Sequence, residues 1–186
     1  PEIDFIFERE QRAGTLQRMR DAGELPVRVT HNDTKINNVL LDADTRRALC
    51  VIDLDTVMPG LSAYDFGDAI RFGASTAAED ERELERVRLD LNLYRVFTRG
   101  FAEACPSLTR AERDVLPLGA FVMTLECGLR FLTDYINGDK YFSIDRESHN
   151  LDRARTQLKL ISEMESHWDE LMQINSEEAY FRPDLG

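Results

Sequence analysis

Two short polar stretches contain the residues best suited to chemistry. The first is HNDTKINN at positions 31–38, and the second ends an apolar run at Asp53. A carboxylate can orient a hydroxyl group and accept its proton, amide and carboxylate oxygens suit Mg²⁺, and a lysine can neutralise developing negative charge. Asp33, then Asn38 with Asp53, and Lys35 would supply these three parts. The pattern is therefore typical of phosphoryl transfer to a hydroxyl group.

A predicted β-hairpin would bring the two stretches together. Strand-like runs cover 38–41 and 48–52, and the residues DADTRR between them have turn chemistry. A hairpin places the start of its first strand beside the end of its second. We therefore expect Asn38 and Asp53 to lie close together, with Asp33 on the loop just before them.

The rest of the chain has mainly helical periodicity. Apolar spacing and end signals predict helices over 3–22, 62–72, 80–104, 109–137 with a bend at Pro117, and from 150 to beyond 168. Thr109 and Glu112 form a capping-box pattern. The predicted fold class is mainly α (α+β): one domain, a helical bundle with a small β-hairpin that carries the catalytic and metal-binding loops.

A polar stripe on the predicted helix 116–135 is a candidate substrate-binding wall. Glu126, Arg130 and Asp134 are spaced at i, i+4 and i+8. They could face a pocket and read sugar hydroxyls, or they could form an ordinary surface ladder of ion pairs. Tyr141 could stack on a pyranose ring, and it could equally be a packing tyrosine.

Composition and charge exclude several classes of partner. The formal net charge is −12, which disfavours nucleic acid and anionic membranes and makes local cations or bound metal necessary at any nucleotide site. The three cysteines form no paired framework, and no signal peptide is visible at the N-terminus. Reduced thiols and a cytoplasmic location are therefore expected.

The two stretches also resemble a known superfamily. H-x-D-x-K-x-x-N followed by a strand that ends in I-D resembles the catalytic and metal-binding loops of the protein-kinase-like superfamily. With IDLD in place of DFG, the chain looks like the aminoglycoside phosphotransferase and choline kinase branch. Segments such as HNDTKINNVLLD, VIDLDTVMPGLSAYDFGDAIRFGA, LPLGAFVMTLECGLRFLTDY and HNLDRARTQLKL are similar to the N-acetylhexosamine 1-kinases, and this resemblance spans about 27–161.

The resemblance implies a role for each matching residue. Asp33 would be the catalytic base and Lys35 would approach the phosphate, while Asn38 and Asp53 would hold Mg²⁺ with ATP as the co-substrate. Asp55 would be a further metal ligand or a neighbour of the metal ligands.

Two other residues would support the catalytic loop. His31 would be a scaffold residue rather than an acid or base. Asp65, in the sequence YDFGD, would brace the loop by accepting backbone hydrogen bonds.

The sequence departs from such kinases at its start. No glycine-rich hairpin precedes the first helix, so residues 1–186 are expected to be the C-terminal, catalytic and substrate-binding lobe without the ATP-gripping N-terminal lobe. The expected reaction is transfer of the γ-phosphate of ATP to the anomeric hydroxyl of N-acetylglucosamine or N-acetylgalactosamine. The alternatives are another acceptor (an aminoglycoside, choline or homoserine) or a non-catalytic lobe. Self-association through the face left by the missing lobe is also expected.

Overall fold

The fold is mostly helical, as a computed structural model of the chain describes for residues 1–181. Within that range there are nine α-helices and four short strands. The helices are α1 (Glu2–Phe7), α2 (Glu10–Ala13), α3 (Thr15–Asp21), α4 (Ser62–Gly73), α5 (Leu91–Ala104), α6 (Arg110–Asp114), α7 (Leu116–Ile136), α8 (His149–Ser166) and α9 (Trp168–Glu178). The strands are β1 (Arg28–Thr30), β2 (Val39–Leu41), β3 (Ala48–Val51) and β4 (Met58–Gly60). The predicted mainly α class is confirmed.

The strands form two separate antiparallel ribbons. β2 pairs with β3 and sets Val39 opposite Val51, so the predicted hairpin is confirmed. β1 pairs with β4 and sets Arg28 opposite Gly60, although no sequence pattern predicted β4. The polar stretch 31–38 lies between β1 and β2, and the second polar stretch lies between β3 and β4. Each of the two candidate loops therefore joins one ribbon to the other.

Helices α4 and α7 pack unusually closely because glycines face each other at their crossing. A Cβ atom on Gly67 would lie 2.2 Å from the carbonyl oxygen of Gly119, and one on Gly119 would lie 2.2 Å from that of Ala63. No side chain can occupy such a gap. This crossing fixes α4, which carries Asp65, against α7, which carries the predicted substrate stripe.

Helix α7 forms the centre of the core. Its residues contact all three hydrophobic clusters: Phe121 belongs to the first, Leu118 packs against the second, and Phe131 belongs to the third. It is the one helix in the described range that is long and apolar enough to cross a membrane. However, 67% of its apolar window is buried inside the protein, as is usual for a core helix.

The predicted helix over 80–104 is wrong in its first half. Helix α5 begins only at Leu91, where the Asp90 carboxylate caps it by accepting hydrogen bonds from the backbone N–H groups of Asn92 and Leu93, both at 2.9 Å. Upstream, Ser75 bridges to Leu89 as an isolated β-pair. The acidic residues from position 79 resemble a helix start, but this segment forms turns and a short 3₁₀ helix, Leu84–Arg86, instead of an α-helix.

Two other predicted helices are interrupted. The first is divided into α1, α2 and α3, and the last is divided into α8 and α9 at His167. The capping box of Thr109 and Glu112 is confirmed at the start of α6. The three cysteines, all within the described range, are unpaired.

Candidate active site

The carboxylate of Asp33 lies at the centre of a short-range polar network. Its Oδ2 accepts a hydrogen bond of 2.8 Å from Nδ2 of Asn38, and its Oδ1 lies 3.3 Å from Nζ of Lys35. Asn38 also donates to the backbone carbonyl of Asp33 at 2.8 Å. The side chain of Asp33 remains 23% exposed. A carboxylate held in this way keeps an open edge for a hydroxyl group while its other contacts fix its orientation.

His31 connects the Asp33 loop to the end of β3. Its Nδ1 accepts a hydrogen bond of 3.3 Å from the backbone N–H of Asp33, so its proton lies on Nε2, which is 3.1 Å from the carbonyl oxygen of Ile52. Thr56 adds a second link, because its hydroxyl donates to the carbonyl of His31 at 2.6 Å. Both nitrogens of His31 are thus used in holding loops together, and neither is free to act as an acid or base.

Asp65, at the start of α4, anchors the loop that carries Asp33. Its carboxylate accepts hydrogen bonds from the backbone N–H groups of His31 at 2.9 Å and Asn32 at 2.8 Å. Asn32 has a positive φ of 63°, a conformation that few residues adopt and that these bonds stabilise. Burial raises the pKa of Asp65, although the two backbone donors oppose that effect. The Asp65 carboxylate therefore fixes the backbone of the loop at His31 and Asn32.

Asn38 and Asp53 are brought together by the hairpin. The backbone N–H of Ile52 donates to the carbonyl of Asn38 at 2.9 Å, which places Asp53 one residue from that contact. Within residues 1–181, neither the Asp53 carboxylate nor Oδ1 of Asn38 makes a hydrogen bond. Asp53 is exposed and has a positive φ of 60°. Asp55 is exposed in the turn that follows.

These oxygens suit a hard cation, but only as part of a larger ligand set. In the described range, no group of three or more His, Cys, Asp and Glu residues could hold a metal ion. One amide and one carboxylate can serve Mg²⁺ when phosphate and water oxygens supply the remaining positions. The donor set therefore fits a metal that arrives with a phosphate compound.

A polar cleft of about 450 Å³ opens beside Asp33. Asp33 and Lys35 line one side, while Glu126 and Arg130 on α7 and Tyr141 after α7 line the other. Glu126 and Arg130 form an ion pair of 3.5 Å, and burial raises the pKa of Glu126 while Arg130 opposes that rise. The structure thus brings five residues selected from the sequence to one cavity. Asn38, Asp53 and Asp55 do not line it.

Asp134 does not belong to this cleft, and the sequence-based prediction of its role needs correction. Its side chain is buried and accepts hydrogen bonds from three backbone N–H groups, those of residues 140–142, and from Asn150. Because each residue of an α-helix advances by about 100°, a step of eight residues rotates the side chain by about 80°. That rotation separates Asp134 from Glu126 and turns it towards α8.

The floor of the polar cleft contains charged residues that were not predicted from the sequence. Arg71 donates to Asp68 at 2.7 Å and to Glu79 at 2.8 Å, and only 9% of the Arg71 side chain is exposed. Asp65, Asp68 and Arg71 follow one another at intervals of three residues on α4, a signal that was available in the sequence. Glu79 gave no such signal, since its position depends on the turns that follow α4.

The loop geometry and the cleft define a class of protein: a carboxylate beside a lysine and an amide, open to a cavity, is the arrangement expected of a phosphotransferase. The chain belongs to the phosphotransferase enzyme family (APH), whose family model matches residues 2–101. That range includes the Asp33 loop, the hairpin, Asp53 and Asp65. It ends before α7 and Tyr141, so the match covers the Asp33 loop and the hairpin but not the α7 side of the polar cleft.

Proposed function

We propose that the chain is the catalytic lobe of a kinase with a protein-kinase-like fold that uses ATP and Mg²⁺. In this proposal it transfers the γ-phosphate to the anomeric hydroxyl of N-acetylglucosamine or N-acetylgalactosamine. The observation that carries the proposal is the polar cleft beside Asp33, which combines fixed charged groups with the exposed ring of Tyr141. Polar groups and a flat apolar face are what a pyranose sugar requires of its site.

In the proposed reaction, Asp33 orients the acceptor hydroxyl and takes its proton as the oxygen attacks the γ-phosphorus. The bond from that phosphorus to the β–γ bridging oxygen breaks, and ADP leaves. Asn38 contributes by holding Oδ2 of Asp33, which leaves Oδ1 and its open edge for the substrate. Lys35 lies 3.3 Å from Oδ1, close enough to exchange that partner for an oxygen of the transferred phosphate. Most of the rate enhancement would come from positioning and from charge stabilisation, as is usual for phosphoryl transfer.

Asn38 and Asp53 would hold Mg²⁺ on the phosphates of ATP, and Asp55 would lie beside them. When bound, the metal would neutralise phosphate charge, which a chain of net charge −12 otherwise repels. The free oxygens of Asn38 and Asp53 and their adjacency on the hairpin support this assignment.

A second lobe would supply the groups that grip the α- and β-phosphates. The observation in favour of this is the hairpin β2–β3, where every residue of β3 is exposed, including Leu49 at 64% and Val51 at 52%. An isolated two-stranded hairpin is marginally stable in water, so apolar residues on it are normally covered. An incomplete, non-catalytic lobe remains the alternative for the chain alone.

The charge pairing within the polar cleft favours a neutral acceptor over a cationic one. Asp68 and Glu79 are both paired with Arg71, and Glu126 is paired with Arg130. A pocket for choline or an aminoglycoside needs carboxylates that are free to neutralise the ligand. These pairs use two arginines for three carboxylates, but the whole lining of the cleft carries as many basic side chains as carboxylates, because Asp33, Lys35 and Arg153 also line it. The cleft therefore offers no excess of negative charge to a cation, and a neutral polyol such as an N-acetylhexosamine is the better match.

The proposal is tested by ADP release with Mg²⁺ over a panel of N-acetylglucosamine, N-acetylgalactosamine, choline, homoserine and kanamycin. The panel is run on this chain and on a longer protein that carries an N-terminal nucleotide-binding lobe. We expect turnover by the longer protein with the hexosamines only. Turnover of another acceptor would replace the substrate assignment, and silence with every acceptor would refute the kinase proposal.

Substitution of Asp33 tests the mechanism in the same assay. Asp33→Asn should reduce kcat by about 10²–10⁴-fold, because the amide cannot accept the proton. The matched control is Asp44→Asn, the same change on the exposed turn of the hairpin, and it should leave the rate unaltered. Substantial turnover by Asp33→Asn would show that another group acts as the base.

A further inference from the structure

The loop between α7 and α8, residues 137–148, forms one wall of the polar cleft. It contains no helix or strand, and it presents Tyr141, Phe142 and Ser143 to the cavity. Tyr141 is 74% exposed, so its ring is available to a ligand. A wall without secondary structure needs other contacts to hold it in place, since an unheld loop would sample many conformations.

A single carboxylate holds the backbone of the three residues 140–142. Oδ1 of Asp134 accepts hydrogen bonds from the backbone N–H groups of Lys140 and Tyr141, both at 2.9 Å, and Oδ2 accepts one from Phe142, also at 2.9 Å. Only 6% of Asp134 is exposed. Burial alone would raise its pKa, but the three backbone donors outweigh burial and lower it. Asp134 therefore remains charged, and a charged acceptor makes stronger hydrogen bonds than a neutral one.

Asn150 extends the same network to another cleft residue. Its Nδ2 donates to Oδ2 of Asp134 at 3.0 Å and to Asp139 at 2.8 Å, and its Oδ1 accepts from Arg153 at 3.0 Å. Asn150 is fully buried, and Arg153 lines the polar cleft and also donates to the carbonyl of Ser143 at 3.0 Å. One buried pair, Asp134 and Asn150, thus sets the position of the loop and of Arg153.

Aromatic contacts connect this loop to α7. The ring of Phe142 lies 4.7 Å from that of Phe131 and 4.7 Å from that of Tyr141. The guanidinium of Arg130 lies 5.3 Å from the Phe142 ring and 5.7 Å from the Tyr141 ring. A shift of the backbone at 140–142 would therefore displace both faces of the cavity.

We propose that Asp134 is a positioning residue for the acceptor: without touching the substrate, it holds Tyr141 and Phe142 beside Arg130, so that together they form the wall against which the ring of a sugar can bind. This inference rests on the proposed function and adds a determinant of acceptor affinity to it. Asn150 assists by keeping Arg153 in the same wall. Loss of the Asp134 charge should weaken acceptor binding more than it slows the chemical step at Asp33, because the Asp134 carboxylate bonds to residues 140–142 and Asn150 and not to the Asp33 loop.

The test compares Asp134→Asn with Asp145→Asn in the protein that carries both lobes. The amide introduced by Asp134→Asn would turn an N–H₂ group towards at least one backbone donor, so we expect KM for the acceptor to rise by about 10-fold or more, with a smaller change in kcat. Asp145 lies exposed on the same loop, and its carboxylate makes no hydrogen bond within residues 1–181, so its variant removes the same charge and should behave as wild type.

Amide hydrogen exchange supplies a readout that does not depend on activity. In Asp134→Asn, the amides of residues 140–142 should lose protection, while those of α7 should keep it. Faster exchange with an unchanged acceptor KM would reduce Asp134 to a structural residue and overturn the proposal. Unchanged exchange would overturn it as well.

A second variant decides the question if Asp134→Asn fails to fold. Asn150→Ala removes one of the four donors to Asp134 and the link to Arg153, and it should raise acceptor KM in the same direction but less. A wild-type KM in that variant would overturn the inference. Failure of the proposed function gives a different result. If wild type turns over another acceptor, the ratio of variant to wild-type KM is measured for that acceptor. If wild type turns over no acceptor, both proposals are overturned.

Discussion

At the scale of single residues, Glu112 connects three parts of the chain. Its carboxylate accepts hydrogen bonds from Arg28 on β1 at 2.7 and 2.9 Å and from the hydroxyl of Ser62 at 2.9 Å, and it completes the capping box with Thr109. Only 2% of the side chain is exposed. Burial would raise its pKa, but these donors outweigh burial and lower it from an ordinary 4.5 to about 2.

Glu112 should make stability depend on acid pH. Because its pKa is lower in the folded chain, the unfolded chain binds the proton first, so the free energy of unfolding decreases as pH falls from about 4.5 to about 2. The full effect is on the order of 3 kcal/mol, and it is present at neutral pH. Urea unfolding at pH 7, 5, 4 and 3 measures it.

The variant Glu112→Gln isolates this contribution. It should be less stable than wild type at pH 7, and the difference should shrink at pH 3. Glu85→Gln serves as the control, since Glu85 is exposed and makes no ion pair within the described part of the chain. A constant difference between Glu112→Gln and wild type across this range would contradict the assigned pKa.

The same residue scale shows which parts of the site could be predicted from the sequence. Asp33, Lys35 and Asn38 lie within six residues, and their mutual contacts depend on local geometry that a loop before a strand imposes. Arg71 and Asp134 depend on which way a helix faces, and that follows from packing against elements far along the chain. Spacing identified the Glu126–Arg130 pair, but the rotation of α7 separated Asp134 from it.

At the scale of elements, the crossing of α4 and α7 is what unites the two halves of the site. Asp65 and Asp68 lie on α4, and Glu126 and Arg130 lie on α7. The distance between the helices is set by Gly67 and Gly119, where backbone meets backbone. A wider crossing would open the polar cleft and move its acceptor side away from Asp33.

Gly119→Ala should therefore destabilise the protein. The new methyl group would lie 2.2 Å from the carbonyl oxygen of Ala63, so the helices must separate, at an expected cost of about 1–3 kcal/mol. The matched control is Gly100→Ala on α5, where a Cβ atom meets nothing within 4 Å, and where alanine should stabilise the helix by about 0.5–1 kcal/mol. Thermal unfolding of both variants measures the difference. Equal effects of the two substitutions would contradict the close crossing.

The boundaries of helices and strands could be predicted where residues close in sequence set them. They could not be predicted where tertiary contacts override such local signals. The capping box at Thr109 and the hairpin turn both depend on residues a few positions apart, and both predictions are confirmed. The segment before α5 has helical composition, yet it follows an irregular path. The bridge between Ser75 and Leu89 and the hydroxyl of Thr156, which donates to the carbonyl of Glu81, hold it there. Such long-range contacts leave no periodic pattern in the sequence.

At the scale of the whole molecule, exposed apolar side chains concentrate around the two β-ribbons. Val29, Leu49, Leu54 and Met58 are 81%, 64%, 59% and 52% exposed. They lie on β1, β3, β4 and the segment between β3 and β4, which flank the Asp33 loop and Asp53. In the proposed kinase this face would be covered by the second lobe. In the chain alone, the hydrophobic effect favours burial of the same face against another copy.

The 186-residue chain should therefore self-associate through the hairpin. Leu49→Lys places a charge on β3 and should shift the chain towards monomer, because a buried unpaired charge is costly. Val96→Lys is the control: Val96 is 62% exposed, but it lies on α5, away from the ribbons, so its variant should associate as wild type does. Light scattering over a concentration series measures both. A second lobe supplied in the same chain should suppress association as effectively as Leu49→Lys, since it would occupy the same surface. Equal association by wild type and Leu49→Lys would show that the hairpin is not the contact.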